Sequence, residues 1–368
     1  MTPVTDLAVV GADPRFGGGA LALMEAFWQS AVGLGRRPEF HYVAHPSLVG
    51  VPLDGSPLDV PGLKSPFRRI DAANQLVAGV RLAPRLRNAR SLWVVSTNAA
   101  HGYAALRSGR PYSCWIATGL EDEWAGRRPG LRPSRRLAIR ANAPVLKPLE
   151  RRVLRGAARV YGISPSSAAS VARAGGLAER DVGVLPIPVD LGALTPAPDE
   201  EWRASLEQPV IAYVGRGDDT RKNAQLLLDA LPLLPNVRLL LVGSPPLGPL
   251  PDRVEATGVV PSIAPHLRRA TLFVLPSRQE GFGIVAAEAL AAGLPVVTTP
   301  SGGPEALVRE SGGGVVLAGF TPEELAETVG GLLADPDRLA KMRRSGRDHV
   351  VREHSRQRLR ELLAEALT

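Results

Sequence analysis

Apolar residues recur along this chain in short unbroken runs, separated by longer stretches of helical periodicity. LAVVGA (7–12) is followed by a glycine-rich turn, DPRFGGG (13–19), and then by the helical pattern ALALMEAFWQSAVGLG (20–35). Strand, glycine loop and helix in that order form the opening unit of a doubly wound α/β domain. Further strands are predicted at FHYVA (40–44), SLWVVST (91–97), PYSCWIA (111–117), RVYGIS (159–164) and VGVLPI (182–187). Helical patterns lie between them, notably LERRVLRGAA (149–158), and the Pro- and Gly-rich segment 46–66 reads as a long loop.

The alternation stops at TPAPDEEW (195–202), which reads as a linker between domains, and then restarts. Strands fit PVIAYVG (209–215), VRLLLVG (237–243), ATLFVLP (270–276), PVVTTP (295–300) and GGVVLA (313–318). Helices fit NAQLLLDALPLL (223–234), IVAAEALAAG (284–293) and PEELAETVGGLLAD (322–335), and the charged tail from Pro336 is helical. The pattern predicts two Rossmann-like α/β domains with doubly wound parallel sheets, 1–194 and 195–351, facing across a cleft. Ligands are expected at the carboxyl ends of the strands, where such sheets bind them.

Composition narrows the class. The 45% hydrophobic content and 22% charge are those of a soluble globular chain of 368 residues. A single cysteine, Cys114, excludes an internal disulfide framework and fits a reducing compartment. No basic-then-apolar leader precedes the first strand, and no apolar run reaches the length of a membrane-spanning helix, so a cytoplasmic protein is expected. The net charge of +8 is unevenly placed: between Arg127 and Arg159, ten arginines and Lys147 face one acid, Glu150. That segment is either a solvated helix face or a surface for anions, including a peripheral contact with an anionic membrane. Its few aromatics argue against nucleic acid.

The chemistry concentrates in EGFGIVAAEALAAGLPVV, beginning at Glu280, where two carboxylates stand eight positions apart in an otherwise apolar run. Gly281 and Gly283 let the backbone approach a ligand, and the helix start around Gly283, Ile284 and Val285 offers unpaired N–H groups to phosphate oxygens. Glu280 stands just before that start and, as a carboxylate, suits sugar hydroxyls rather than phosphate. Glu288, about one turn inside the helix, suits the diol of a ribose. The competing reading is a helix-capping Glu280 and a solvent-facing Glu288. Upstream, YVGRGDDTRKNAQLLLDAL (213–231) brings Arg216 and Lys222 to the edge of the same sheet. Lys222 is one of only four lysines among 44 basic residues, which suggests that a compact point charge is wanted there. Two fixed cations would neutralise a departing diphosphate. Asp218–Asp219 reads as a turn rather than a metal motif, and no metal or other cofactor is expected.

With these residues in place, the chain resembles the retaining nucleotide-sugar glycosyltransferases of family 4, which have the two-domain GT-B fold. The resemblance rests on Glu280–x7–Glu288 followed by SGGPEAL (301–307), and on VGRGDDTRKN with Arg216 and Lys222 in the family's diphosphate-binding segment. It is strong over 209–320 and weaker over 1–195. It implies that Gly215, Arg216 and Lys222 serve the diphosphate, that Glu280 contacts the donor hexose, that the backbone at Phe282–Val285 holds phosphate and sugar, and that Glu288 holds the ribose. TGVVPSI (257–263), with Val260, resembles the segment that clasps the base. Gly17, Gly18 and Gly19 match the family's N-domain glycine loop near donor phosphate and acceptor, and the last helix, about 352–368, is expected to pack back on the N-terminal domain. The implied donor is a GDP- or UDP-sugar of the GDP-mannose or UDP-glucose type, and the acceptor is a sugar, lipid or small-molecule hydroxyl. Two departures stand out. CWIATGLEDEW (114–124) has Thr118 but no histidine, leaving His101 as the nearest candidate, and LPIPVD (185–190) replaces the usual Asn-Gly with Ile187 and Pro188.

The expected activity is transfer of a hexose with retention, by a front-face route in which Arg216, Lys222 and Glu280 form the catalytic set without a metal. Three alternatives stay open: a nucleotide-sugar epimerase of similar architecture, a dinucleotide-dependent oxidoreductase argued from VVGADPRFGGG, and a non-catalytic two-lobed binding protein. The second lacks a spaced G-x-G-x-x-G.

Overall fold

The computed structural model describes residues 5–16, 18–44, 56–58, 62–64, 71–127 and 133–368. Its chain divides into two compact units, one formed by Met1–Pro188 with Arg356–Thr368, the other by Val189–Ser355. Gly17, most of the 46–66 loop and residues 128–132 of the basic segment lie outside the described residues.

The first unit is built on β1 (Leu7–Gly11), β2 (Pro38–Ala44), β3 (Leu63–Lys64), β4 (Ser91–Ser96), β5 (Ser113–Ile116), β6 (Arg159–Gly162) and β7 (Val182–Val184). They form one sheet in the order β3-β2-β1-β4-β5-β6-β7, with every pair parallel. The second unit carries β8 (Val210–Val214), β9 (Arg238–Val242), β10 (Val254–Ala256), β11 (Leu272–Leu275), β12 (Val296–Thr298) and β13 (Gly314–Val316). Its order is β10-β9-β8-β11-β12-β13, again all parallel. Each sheet reverses its winding once, between β1 and β4 and between β8 and β11. Those reversals leave crevices at the carboxyl ends of the strands, because the flanking crossovers run to opposite sides.

Burial explains why these strands read as apolar runs. β1, β11 and β12 are buried along their whole length, because helices cover both faces of a parallel sheet. β3 and β10 escaped the pattern because they are two- and three-residue edge strands whose positions are partly buried or exposed. In the first unit Phe27 packs 5.2 Å from Trp93, and Trp93 stacks on Tyr161 at 5.9 Å. The C-terminal helix Arg356–Leu367 packs on the helix Gly18–Gly33. Arg159 Nη1 holds its end by donating to the carbonyls of Glu365 and Ala366 at 3.3 and 3.2 Å.

One helical pattern is shorter than its periodicity suggests, and the expected linker holds a short helix. The run 223–234 is α-helical only over Gln225–Ala230 and tightens to a 3-10 turn at Leu231–Leu233, because Pro232 cannot supply the backbone donor that would continue the ladder. The proline-rich stretch at 195–202 is extended only as far as Pro198, after which Asp199–Ala204 is a short helix with three acids in its first turn. The helix Gly303–Ser311 was hidden in the sequence behind its glycine-proline start.

Arg343 fastens the extended stretch to the second unit. Its guanidinium donates to the carbonyls of Gly293 and Ala197 at 2.8 and 2.6 Å and to Asp199 at 2.8 Å. It also lies 4.6 Å from the centre of the Trp202 ring. With 6% of the side chain exposed, removal leaves two carbonyls without donors inside the protein. Arg343→Ala is expected to cost about 3 kcal/mol of stability in urea unfolding. Arg343→Lys should recover little of it, since an ammonium lacks the planar fork that reaches three acceptors.

Candidate functional site

The site residues of the second unit gather where its sheet reverses, on the loops that follow β8 and β11. The β8 loop leaves the sheet at Gly215, runs through Arg216–Thr220 and enters its helix past Lys222 and Asn223. Asp219 organises the turn: its Oδ1 accepts from the Arg221 amide at 3.0 Å, and its Oδ2 pairs with Arg216 at 2.8 Å and Arg221 at 3.4 Å. Those pairings hold its carboxyl below the usual range against the opposing effect of burial. Among the described residues Asn223 is the one non-glycine residue with positive φ, at 54°, a conformation that asparagine tolerates better than most side chains. Its side-chain amide donates to the Pro276 carbonyl at 3.1 Å, and the Arg278 amide donates to the Arg221 carbonyl at 2.8 Å. The two loops are therefore stitched together by backbone as well as by side chains.

At their junction Lys222 Nζ lies 2.7 Å from Glu280 Oε1, with 16% of the lysine side chain and 8% of the glutamate exposed. Ser277 Oγ donates to the same oxygen at 2.7 Å. Glu280 thus does not cap the helix. The cap position is Gly283, with φ 76° and no side-chain cap. The amides of Ile284 and Val285 have no partner among the described residues, the usual state of a helix start without a cap. Arg216 stands apart from the pair, with 68% of its side chain exposed.

A second glycine pair explains how the loop keeps its shape. The Glu280 amide donates to the Ser301 carbonyl at 2.8 Å, laying Glu280 beside Gly302 in a parallel bridge. A Cβ on Gly303 would overlap the carbonyl oxygen of Gly281 and the Cα of Phe282, so the SGGP loop packs on the EGFG loop backbone to backbone. Phe282 turns its ring inward, 5% exposed and 4.9 Å from the ring of His354, so only its backbone faces outward.

Glu288 sits on the helix Ile284–Ala291, half-buried and with no hydrogen-bond or charged partner among the described residues. Burial alone pushes its carboxyl up to about 7. Val260 is half-buried beyond β10, next to a turn in which the Gly243 amide donates to the Gly258 carbonyl at 2.9 Å. The preceding Val259 is 85% exposed.

The first-unit candidates are placed less openly. Gly18 and Gly19 open the helix Gly18–Gly33, and a side chain at Gly19 would meet nothing within 4 Å among the described residues. His101 follows β4, its Nδ1 2.8 Å from Ser96 Oγ and 3.3 Å from the Asn98 carbonyl, and burial holds it below the usual imidazole range. Thr118 follows β5, with its hydroxyl 3.2 Å from Ser170 Oγ, which itself reaches Asp122 at 2.5 Å. Nearby, Glu150 is 3% exposed, accepts from the Leu120 amide at 3.1 Å and is pushed up to about 7 by burial. Sequence reasoning singled out neither Ser277 nor Asn223. The spacing Ser-x-x-Glu was a signal for the first, whereas the left-handed backbone of the second has none in a single sequence.

Known proteins resemble this chain in part of its sequence and in its fold. Residues 208–335 match the family model for glycosyl transferases group 1. The D-inositol 3-phosphate glycosyltransferase of Segniliparus rotundus is 34% identical over 197 residues, 47% of this chain and 44% of that protein. D-inositol 3-phosphate glycosyltransferase 1 of Catenulispora acidiphila is 36% identical over 192 residues, 44% of this chain and 46% of that one. The matches thus span less than half the length of these curated relatives. Among solved structures, sucrose-phosphate synthase of Thermosynechococcus elongatus superposes with a TM-score of 0.77 at 20% identity, over 98% of both chains. Anabaena HepE, solved with UDP and glucose, gives 0.74 at 18% identity over 99% of both. These likenesses speak for the fold. With the two parallel sheets they show a GT-B fold, and residues 208–335 within it carry a domain like that of the group 1 glycosyl transferases.

Proposed function

We propose that the chain transfers a hexose from a nucleoside diphosphate sugar to a hydroxyl acceptor, with retention at the anomeric carbon and without a metal. The observation that carries this reading is the order of groups at one sheet reversal: the Lys222–Glu280 pair, then an uncapped helix start at Gly283, then the unpartnered carboxyl of Glu288. Laid along a sugar nucleotide, these suit hexose hydroxyls, diphosphate oxygens and ribose diol in turn. The amides of Ile284 and Val285 with the helix dipole would take the phosphates. Lys222 and the exposed Arg216 would stabilise the charge that grows on the leaving diphosphate. In a front-face route the bond between the anomeric carbon and the phosphate oxygen breaks, and the acceptor oxygen bonds to the same face. The acceptor proton passes to the departing phosphate. The donor is of the UDP-glucose or GDP-mannose type. Two relatives are named for D-inositol 3-phosphate, so a small polyol phosphate is a reasonable first acceptor to try. The N-terminal unit, with Gly17, Gly18, Gly19, His101 and Thr118, is proposed to serve the acceptor.

The helix Pro133–Gly156 exposes Arg136, Arg140, Arg151 and Arg152 together with Leu137, a composition that suits peripheral contact with an anionic membrane. No helix of the described residues is long and apolar enough to cross a membrane.

Incubation with UDP- and GDP-sugars, with and without acceptor, tests the class. A transferase consumes donor fastest with acceptor present, whereas an epimerase converts the donor alone. Lys222→Ala is expected to lower kcat on the order of 10²-fold or more while changing donor affinity far less, measured by single-turnover kinetics and calorimetry. Loss of affinity with kcat intact would remove Lys222 from the chemical step.

Glu288 makes binding pH-dependent. Its carboxyl is raised in the free protein, so it is mainly protonated at pH 6 and mainly charged at pH 8. Hydroxyl donors from a ribose favour the charged form, so binding draws the group down and releases a proton. UDP-glucose affinity is therefore expected to rise about tenfold from pH 6 to pH 8. Glu288→Gln should flatten that dependence in calorimetric titrations, because an amide has no proton to lose.

A further inference from the structure

Glu280 does not offer a whole carboxylate to a ligand. Its Oε1 is already occupied by two donors, Lys222 Nζ and Ser277 Oγ, each at 2.7 Å. Its Oε2 has no partner among the described residues, and the side chain is only 8% exposed. The rest of the residue is equally constrained. Its amide is held by the Ser301 carbonyl at 2.8 Å, and the backbone lies against Gly302 in a parallel bridge. Ser277 is itself completely buried, and its carbonyl accepts from the Thr299 hydroxyl. Ser277 can therefore keep its hydroxyl on Glu280 without competition from solvent.

We propose that Ser277 is a positioning residue for sugar recognition: with Lys222 it locks one oxygen of Glu280, so that the other is presented to a single hydroxyl of the hexose. This rests on the sugar-nucleotide reading and deepens it. Two fixed donors on Oε1 determine the rotation of the carboxylate plane. A carboxylate held by Lys222 alone could swivel about one contact, and would then accept from either oxygen. Ser277 removes that freedom and leaves Oε2 as a directed acceptor, which selects a hydroxyl in one place and rejects a ligand that offers none. Lys222 meanwhile keeps two of its three N–H donors for the diphosphate. One ammonium thereby links the oxygen that reads the sugar to the group that leaves, so misplacement of Glu280 also displaces the cation at the bond being broken.

The test compares the affinity of UDP with that of UDP-glucose, and of GDP with that of GDP-mannose, in the wild type and in Ser277→Ala, Ser277→Thr, Glu280→Ala and the double variant Ser277→Ala/Glu280→Ala. Calorimetry reads binding, turnover reads kcat, and thermal unfolding reports whether each variant is folded. Ser277→Ala should leave the nucleoside diphosphate affinity within about twofold and lower kcat about tenfold for the preferred sugar nucleotide. Ser277→Thr, which restores the hydroxyl, should recover most of that loss. In the Glu280→Ala background the serine substitution should have no further effect, because a residue that acts through Glu280 has nothing left to position. Additive losses in the double variant, or equal losses of UDP and UDP-glucose affinity, would make Ser277 a structural residue and overturn the proposal. If the wild type binds neither sugar nucleotide, the sugar-nucleotide reading falls, and the assignment of Ser277 falls with it. Binding of a sugar nucleotide with no response to Ser277→Ala refutes the positioning role alone.

Discussion

The second unit is organised around one buried ion pair. Lys222 and Glu280 are 58 positions apart in the chain, yet their charges sit 2.7 Å apart with little access to water. Removing two charges from water costs several kcal/mol per ion, and their attraction offsets this only when geometry is held and the remaining valences are met. The surrounding structure is what holds it. Asn223 and Arg278 tie the β8 loop to the β11 loop, Ser277 supplies a second donor, and the SGGP loop braces Glu280 from the far side. The glycines at 283 and 303 follow from the same requirement, because two loops can brace each other this closely only where no Cβ intervenes.

The two acids of the motif solve the problem of burial in opposite ways. Glu280 is held against a lysine and a serine hydroxyl and is in place before any ligand arrives. Glu288 has no such partner, and its carboxyl is raised to about 7 by burial alone. A charged ligand-binding group that is already neutralised contributes orientation, whereas a group that ionises on binding contributes a pH-dependent share of affinity. The helix start between them adds a third type of interaction, fixed backbone dipoles that need no ionisation at all. A long polar ligand laid across the three meets groups whose electrostatic costs are distributed differently along its length.

Much of the scaffold was legible because a parallel sheet covered on both faces leaves unbroken apolar runs. VIAYV, RLLLV and LFVL are such runs, and all are strands here. Legibility failed where the physical signal is weak. Val254–Ala256 is an edge strand of three half-exposed or exposed residues, and Leu63–Lys64 is shorter still. At the site, the spacing of Glu280 and Glu288 with the intervening glycines identified the loop and helix start, since both are local features. The pairing of Glu280 with Lys222 is not local, and only the scarcity of lysine in an arginine-rich chain hinted that an ammonium was wanted at 222. That Ser277 completes the arrangement follows from side-chain direction, which spacing alone does not encode.

The two units differ in how much polar capacity they leave unspent. At the carboxyl edge of the first sheet, His101 is engaged with Ser96, Thr118 with Ser170, and Asp122 with both Ser170 and Arg173. Groups satisfied within their own fold gain little from a ligand, because each new hydrogen bond replaces an existing one. At the edge of the second sheet the amides of Ile284 and Val285, Oε2 of Glu280 and the carboxyl of Glu288 have no such engagement among the described residues. A donor or acceptor held in place and left without a partner is what recognition requires, since its bond to a ligand costs the protein no bond of its own. The second unit therefore carries the functional reading by its open valences as well as by its motif. The first unit is not wholly spent, since Asn98 Oδ1 after β4 is buried without a partner among the described residues, but its other polar groups there are engaged.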